Sequence, residues 1–286
     1  MCVNIVKLGG SVITEKAKGE QEINFRVVRN LGLEIKSLMD QGEKFIIIHG
    51  AGSFGHVNAQ KYGVNRDWSI EKSAYNRKLS GVVKIQNDMH NLNFMVVSTL
   101  MECGIKAVGV CTNNISVNRN KKLSYMYIDN IIKYLEHNIV PVIYGDVVND
   151  IGRNPFSITS GDDIILYLSS NINNVRKAVF VMDVDGVYDR DPKSNIEIRR
   201  RQRKPQLIDN IYMGKELNID TRSRGNVKDV TQRMEGKLKS IFEIASLGID
   251  VYCVNGFVRE RLKNALVGHS FRGTHIHPEA KDENKS

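Results

Sequence analysis

Residues 46–56 read IIIHGAGSFGH, an apolar run that ends in His49 and then meets Gly50, Gly52 and Gly55. Residues 7–16, KLGGSVITEK, have the same plan, because VNIVKL (3–8) runs straight into Gly9 and Gly10. Short apolar runs bounded by glycine read as buried strands. Glycines after a strand let backbone N–H groups approach an anion with no Cβ in the way. Helix-compatible sequence after the second cluster adds the N–H groups of a helix start. Lys7 beside one cluster and His56 beside the other supply positive charge for phosphate oxygens. Taken alone, KLGG is explained equally well by a plain strand-to-loop turn. His49, the last residue of its strand, reads as structural.

Strands and helices alternate outward from these two segments. The spacing of Phe25, Val28, Leu31, Ile35 and Leu38 predicts a helix over 24–41, with Gly42 as its stop. Further helices are expected over about 71–102, 128–137, 160–172, 229–247 and 258–265. Further strands are expected at about 106–110, 139–145, 250–254 and 274–276, and one followed by a turn within 177–187. This alternation predicts an α/β fold with a mostly parallel sheet covered on both faces and ligands at the carboxyl ends of its strands. The polar stretch around 172–176 is the softest boundary, dividing one domain (1–286) into lobes 1–174 and 175–286.

Composition narrows the class. The chain has 286 residues, 41% hydrophobic and 26% charged, as in ordinary soluble domains. No apolar run approaches the ~18–20 residues that span a bilayer, and the N-terminus has no signal-type segment, so a cytoplasmic protein without a membrane partner is expected. The 4 cysteines form no CxxC pair and read as reduced thiols. With no HxxxH, HExxH or Cys/His cluster, no metal held by side chains is expected. The net charge of +9 suits anionic ligands. Its densest run, RRRQRK (199–204), lacks the interleaved aromatics of a stacking platform, so it reads as a solvated tip and no nucleic-acid partner is expected. There is no GxxxxGK[ST] loop, HRD…DFG set or GxSxG elbow.

Three more segments carry chemistry. In Ser160-Gly161-Asp162-Asp163 the carboxylates cap a helix, or Asp162 holds two lysines in position. Asp183-Val184-Asp185-Gly186-Val187-Tyr188 is a tight Asp-Gly turn or a nucleotide-holding strand end. DVTQRMEGKLKS (229–240) is a loop feeding a helix, with Lys237 in its early turns.

In this order KLGGSVITEK, HGAGSFGH, GDVV (145–148), SGDD (160–163), MDVDGVYDRDP (182–192), DVTQRMEGK (229–237) and FRGTHI (271–276) resemble the amino acid kinase superfamily over nearly the full length. Within it the chain looks most like the isopentenyl phosphate kinase branch, which shares the histidine after GxGxFG with fosfomycin kinases. The resemblance implies a three-layer αβα sandwich with an N-terminal acceptor lobe and a C-terminal lobe for ATP and Mg2+. It implies phosphorylation of isopentenyl phosphate to the diphosphate with release of ADP, a step in isoprenoid precursor synthesis. By the same resemblance Lys7, Leu8, Gly9, Gly10 and Ser11 meet ATP phosphates with Lys16 nearby, and Ala51 and Gly52 line the transfer site. Gly50, Gly55 and Gly161 hold the acceptor and His56 binds its phosphate. Asp183 and Tyr188 approach the nucleotide, Lys237 stabilises the phosphoryl group, and Asp162 orients the lysines. Arg233, with Gln232, stands where the family commonly has TGGM, beside ATP. Many relatives are homodimers. A kinase of another small phosphate or phosphonate such as fosfomycin, and a weakly active regulatory nucleotide-binding protein, are the competing readings.

Overall fold

The computed structural model describes residues 2–15, 21–68, 71–190, 192, 204–213 and 238–278. Its centre is β1 (Val3–Leu8), all six residues of which are buried. β1 pairs in parallel with β4 (Phe45–His49) on one side and with β11 (Val175–Met182) on the other. Beyond β4 lie β8 (Val140–Tyr144) and β5 (Ala107–Val110), and beyond β11 lie β13 (Asp250–Asn255), β14 (Gly273–His277) and β12 (Asn210–Tyr212). The six strands from β13 to β5 run parallel, and β14 turns back antiparallel to β13. Apolar residues at almost every position of β1 and β4 follow from this placement, since strands covered on both faces have no polar side.

Strand parity sorts the core into two layers. Val6, Leu8 and Ile47 pack with α2 (Phe25–Met39) and α4 (Lys72–Glu102). Val3, Ile5, Ile46 and Ile48 pack with α6 (Asp129–Glu136), α7 (Gly161–Asn171) and the helical residues 238–246. Asn24 caps α2 by accepting from the Val27 N–H, 3.1 Å, and Val28, Leu31, Ile35 and Leu38 form its buried stripe. The helix expected at 258–265 runs Arg261–Val267. Among the described residues no helix is long and apolar enough to cross a membrane.

A second sheet was not foreseen. It orders β10 (Phe156–Thr159), β9 (Asp146–Asp150), β6 (Ser116–Arg119) and β7 (Lys122–Met126) beside the carboxyl end of β8. A hairpin of β2 (Thr14–Glu15) and β3 (Glu22–Ile23) follows the one-turn helix α1 (Gly10–Ile13). On α4, Ile85, Met89, Leu92 and Val96 are core, whereas Phe94 lies 72% exposed.

Candidate active site

The glycine loops at Gly9-Gly10 and Gly50–Gly52 meet at the carboxyl ends of β1 and β4. Their backbones touch: a Cβ added to Gly10 would fall 2.3 Å from the Gly52 nitrogen, and one on Gly50 would fall 2.8 Å from the Gly10 nitrogen. Gly52 also holds a left-handed φ of +50°, and a Cβ there would strike the Thr14 hydroxyl. Thr14 ties the loops together, donating to the Gly10 carbonyl (2.8 Å) and accepting from the Ser53 N–H (3.1 Å). Gly52 begins α3 (Gly52–Tyr62), so the start of that helix lies beside Gly10, with the Ser53 N–H held by Thr14 and the Phe54 N–H by the Ala51 carbonyl (3.1 Å). His56 lies one turn into α3 and is exposed. Ser11 continues α1, and Leu8 is fully buried.

Parity on β1 puts Lys7 on the α7 side of the sheet. There its ammonium meets Asp162 at 2.5 Å, with side-chain exposures of 7% and 19%. The start of α7 explains why Asp162 is available. Ser160 and Asp163 form a capping box, with the Asp163 N–H donating to the Ser160 hydroxyl (3.1 Å) and the Ser160 N–H to the Asp163 carboxylate (2.9 Å). Asp162, one residue earlier, is left to reach Lys7. Gly161 allows this approach, since a Cβ on it would lie 3.1 Å from the Lys7 side chain.

The opposite parity puts His49 toward α4. It is fully buried, contacts the Gly50 carbonyl and Asn93 at 3.1 Å each, and stacks on Tyr144 at 5.4 Å. Burial holds its pKa down to about 4, so the ring is neutral, in keeping with a structural role. Asp146 follows Gly145, whose N–H donates to the His49 carbonyl. It is 2% exposed, one oxygen accepts from the Val147 N–H at 2.7 Å, and the other has no hydrogen-bond partner among the described residues. Burial pushes its carboxyl up to about 7.

After β11 the chain turns through Asp183 to Tyr188 beside Gly9, whose N–H donates to the Val181 carbonyl at 2.9 Å. Asp185 organises this turn. It accepts from Arg261, from Arg272 (2.8 Å) and from Asn255 (3.1 Å), with the Tyr188 hydroxyl at 3.4 Å. Burial alone would raise its carboxyl, but these hydrogen bonds outweigh that and hold it below the usual carboxylate range.

The fold therefore brings Lys7, Gly9, Gly10, Gly50, Ala51, Gly52, Gly161 and Asp162 to one end of the sheet, with Gly55 and His56 on the adjoining helix and Asp183 and Tyr188 on the neighbouring turn. Lys16, Arg233 and Lys237 lie outside the described residues, as does all of the basic run but Lys204. Sequence reasoning missed Thr14 and the partners of Asp185. It also missed Asp88, buried under α3, which accepts from Gln21 (2.9 Å), Asn58 (2.6 Å) and Lys84 (2.5 Å).

The family model for the amino acid kinase family matches residues 3–255. The chain belongs to the amino acid kinase family. It is 34% identical over 273 residues to the isopentenyl phosphate kinase of Methanothermobacter thermautotrophicus, covering 95% of this chain and 98% of that one. It is 30% identical over 276 residues to the isopentenyl phosphate kinase of Thermoplasma acidophilum, covering 95% and 99%. A solved isopentenyl phosphate kinase structure superposes with a TM-score of 0.81 at 32% identity, covering 96% of this chain and 100% of that one. The mostly parallel sheet between helical layers is thus the amino acid kinase fold.

Proposed function

We propose that the chain transfers the γ-phosphoryl group of ATP, taken up with Mg2+, to the phosphate of isopentenyl phosphate, yielding isopentenyl diphosphate and ADP. The observation that carries the reading is the contact of the two glycine loops in front of the largely buried Lys7 and its partner Asp162, in a chain similar over 95% of its length to isopentenyl phosphate kinases. Glycine at 9, 10, 50 and 52 is what lets the two loops pack this closely, because any Cβ would collide with backbone or Thr14, and in this reading the joined loops form the rim that receives phosphate oxygens.

The attacking oxygen is already an anionic phosphate oxygen, so the reaction needs no strong general base. Its difficulty is electrostatic, since two polyanions must meet in line. Lys7, fixed by Asp162, presents a positioned charge to the ATP phosphates, with Leu8, Gly9, Gly10 and Ser11 around it. His56 grips the acceptor phosphate, and Lys237 stabilises the group in flight. In this reading residues 1–174 hold the acceptor, with Gly50, Gly55 and Gly161 against it. Residues 175–286 hold the nucleotide through Asp183, Tyr188 and Arg233. The reaction takes place in the cytoplasm.

An ADP-release assay with ATP, Mg2+ and a panel of isopentenyl phosphate, dimethylallyl phosphate and fosfomycin tests this. Preferential turnover of isopentenyl phosphate is expected, and preference for another acceptor overturns the substrate assignment. His56→Ala should lower turnover by about 10²-fold or more with the fold intact. Near-native turnover by that variant would remove His56 from the site.

A further inference from the structure

The sheet carries a second cluster at its other end, where the phosphoryl-transfer machinery makes no use of it. Asp250 opens β13, so it lies at the amino end of the parallel strands, while the glycine loops lie at the carboxyl end. β14 runs back antiparallel, with His275 opposite Tyr252. On its far side β12 sets Asn210 against His275 and Tyr212 against His277. The alternate residues Val251, Ile276 and Ile211 are buried in the core. The period of two therefore leaves Asp250, His275 and His277 together on the opposite, partly exposed face.

Their rings are already ordered. Tyr212 stacks on His277 at 4.3 Å, His277 on His275 at 3.6 Å, and His275 on Tyr252 at 4.2 Å. The four rings form a ladder across three strands. The Asp250 carboxylate lies 2.6 Å from Nε2 of His275, and Nε2 of His277 lies 2.9 Å from the Asn210 side-chain oxygen. One donor atom from each of Asp250, His275 and His277 lies within 4.8 Å of the other two. Around a tetrahedral zinc ion, bonds of about 2.0–2.2 Å hold donor atoms roughly 3.3 Å apart. Side-chain rotation covers the difference, since the side chains of His275 and Asp250 are 21% and 39% exposed. The same exposure gives an ion a way in from solvent.

We propose that Asp250, His275 and His277 bind a divalent transition-metal ion of the zinc type, which clips β14 to the sheet. Two imidazoles and one carboxylate suit Zn2+ or Co2+, whereas Mg2+ prefers an all-oxygen shell and keeps its waters. The site is distinct from any magnesium that enters with ATP. Asn210 and Tyr212 act as positioning residues, one through a hydrogen bond and the other through its ring.

The test titrates Co2+ into the full chain without nucleotide or Mg2+, following its visible ligand-field absorption, then competes it with Zn2+. One equivalent is expected to bind and to be displaced by Zn2+. His277→Ala should weaken binding by at least about tenfold, and the exposed His269→Ala should leave it unchanged. Zn2+ should raise the melting temperature of the wild type more than that of His277→Ala. His277→Gln, which keeps a polar group beside Asn210, is the second variant and should also lose the ion. Equal Co2+ affinity in wild type and both variants, or no absorption band in the wild type at millimolar Co2+, overturns the proposal. ADP release by His277→Ala should stay at the wild-type level, which separates this site from the phosphoryl-transfer reading.

Discussion

Asp146→Asn should change how stability depends on pH, and the size of the change follows from one buried carboxyl. In the folded chain burial pushes Asp146 from its ordinary 3.8 up to about 7. Below pH 4 both folded and unfolded chains hold the proton, so no penalty exists. Between those values the unfolded chain ionises while the folded chain does not, and stability falls as pH rises. Above 7 both are ionised and the loss is complete, at roughly 4 kcal/mol. An amide cannot ionise, so the variant escapes this loss. Urea unfolding of both proteins from pH 4.5 to 8 should show the variant gaining on wild type up to neutrality and then levelling off. Any constant offset between acid and amide drops out of that slope. His49 has the opposite sign, because its folded pKa of about 4 lies below its ordinary 6.5, and stability falls by roughly 3 kcal/mol as pH drops through that window. The two slopes offset each other in the wild type, and the variant should lose the Asp146 contribution while keeping that of His49. A stability difference that stays level across the range would refute the assignment of a raised pKa to Asp146.

Other perturbations have outcomes as definite. Gly10→Ala forces a methyl into the Gly52 backbone, so steady-state kinetics should show kcat/KM falling by about 10²-fold while circular dichroism still reports a folded chain. Ser160→Ala removes half of the capping box on α7 and should cost about 1 kcal/mol in chemical denaturation. Asp185→Ala leaves Arg261 and Arg272 without their shared carboxylate and should cost about 2 kcal/mol at pH 7. Because the folded pKa of Asp185 is depressed, that cost should be present above about pH 4 and vanish as pH falls through the folded value, which a pH series of urea midpoints would reveal.

What could be read in the chain was set by burial. β1 and β4 are covered on both faces, so their mainly apolar runs stood out, and β1 spans the expected residues 3–8. The second sheet hid because β6 and β7 are four and five residues long and mix buried with exposed positions, leaving neither period clear. Glycine marked the loops, but that Gly10 touches Gly52 is a tertiary fact no local pattern carries. Lys7 and Asp162 are 155 residues apart, so spacing alone left Asp162 open between a helix cap and a lysine partner. The capping box settles the cap on Ser160 and Asp163. The Asp250–His275–His277 cluster escaped for a related reason. Search patterns for metals assume ligands one helical turn or one tight loop apart, whereas here the antiparallel return of β14 brings them together.

The place of β1 in the middle of the sheet bears on how the protein is made. β1 leaves the ribosome before either of its two partners, and β11 starts only at Val175. The helices and strands between can assemble on the β4 side in the meantime. Throughout that interval one edge of a mainly apolar strand stays bare, and bare apolar edges recruit other chains. Synthesis speed through the middle of the message, and any chaperone that shields the emerging half, thus govern the yield of native enzyme. A chain cut or stalled before residue 175 cannot heal that edge, so fragments ending there should be found in inclusion bodies.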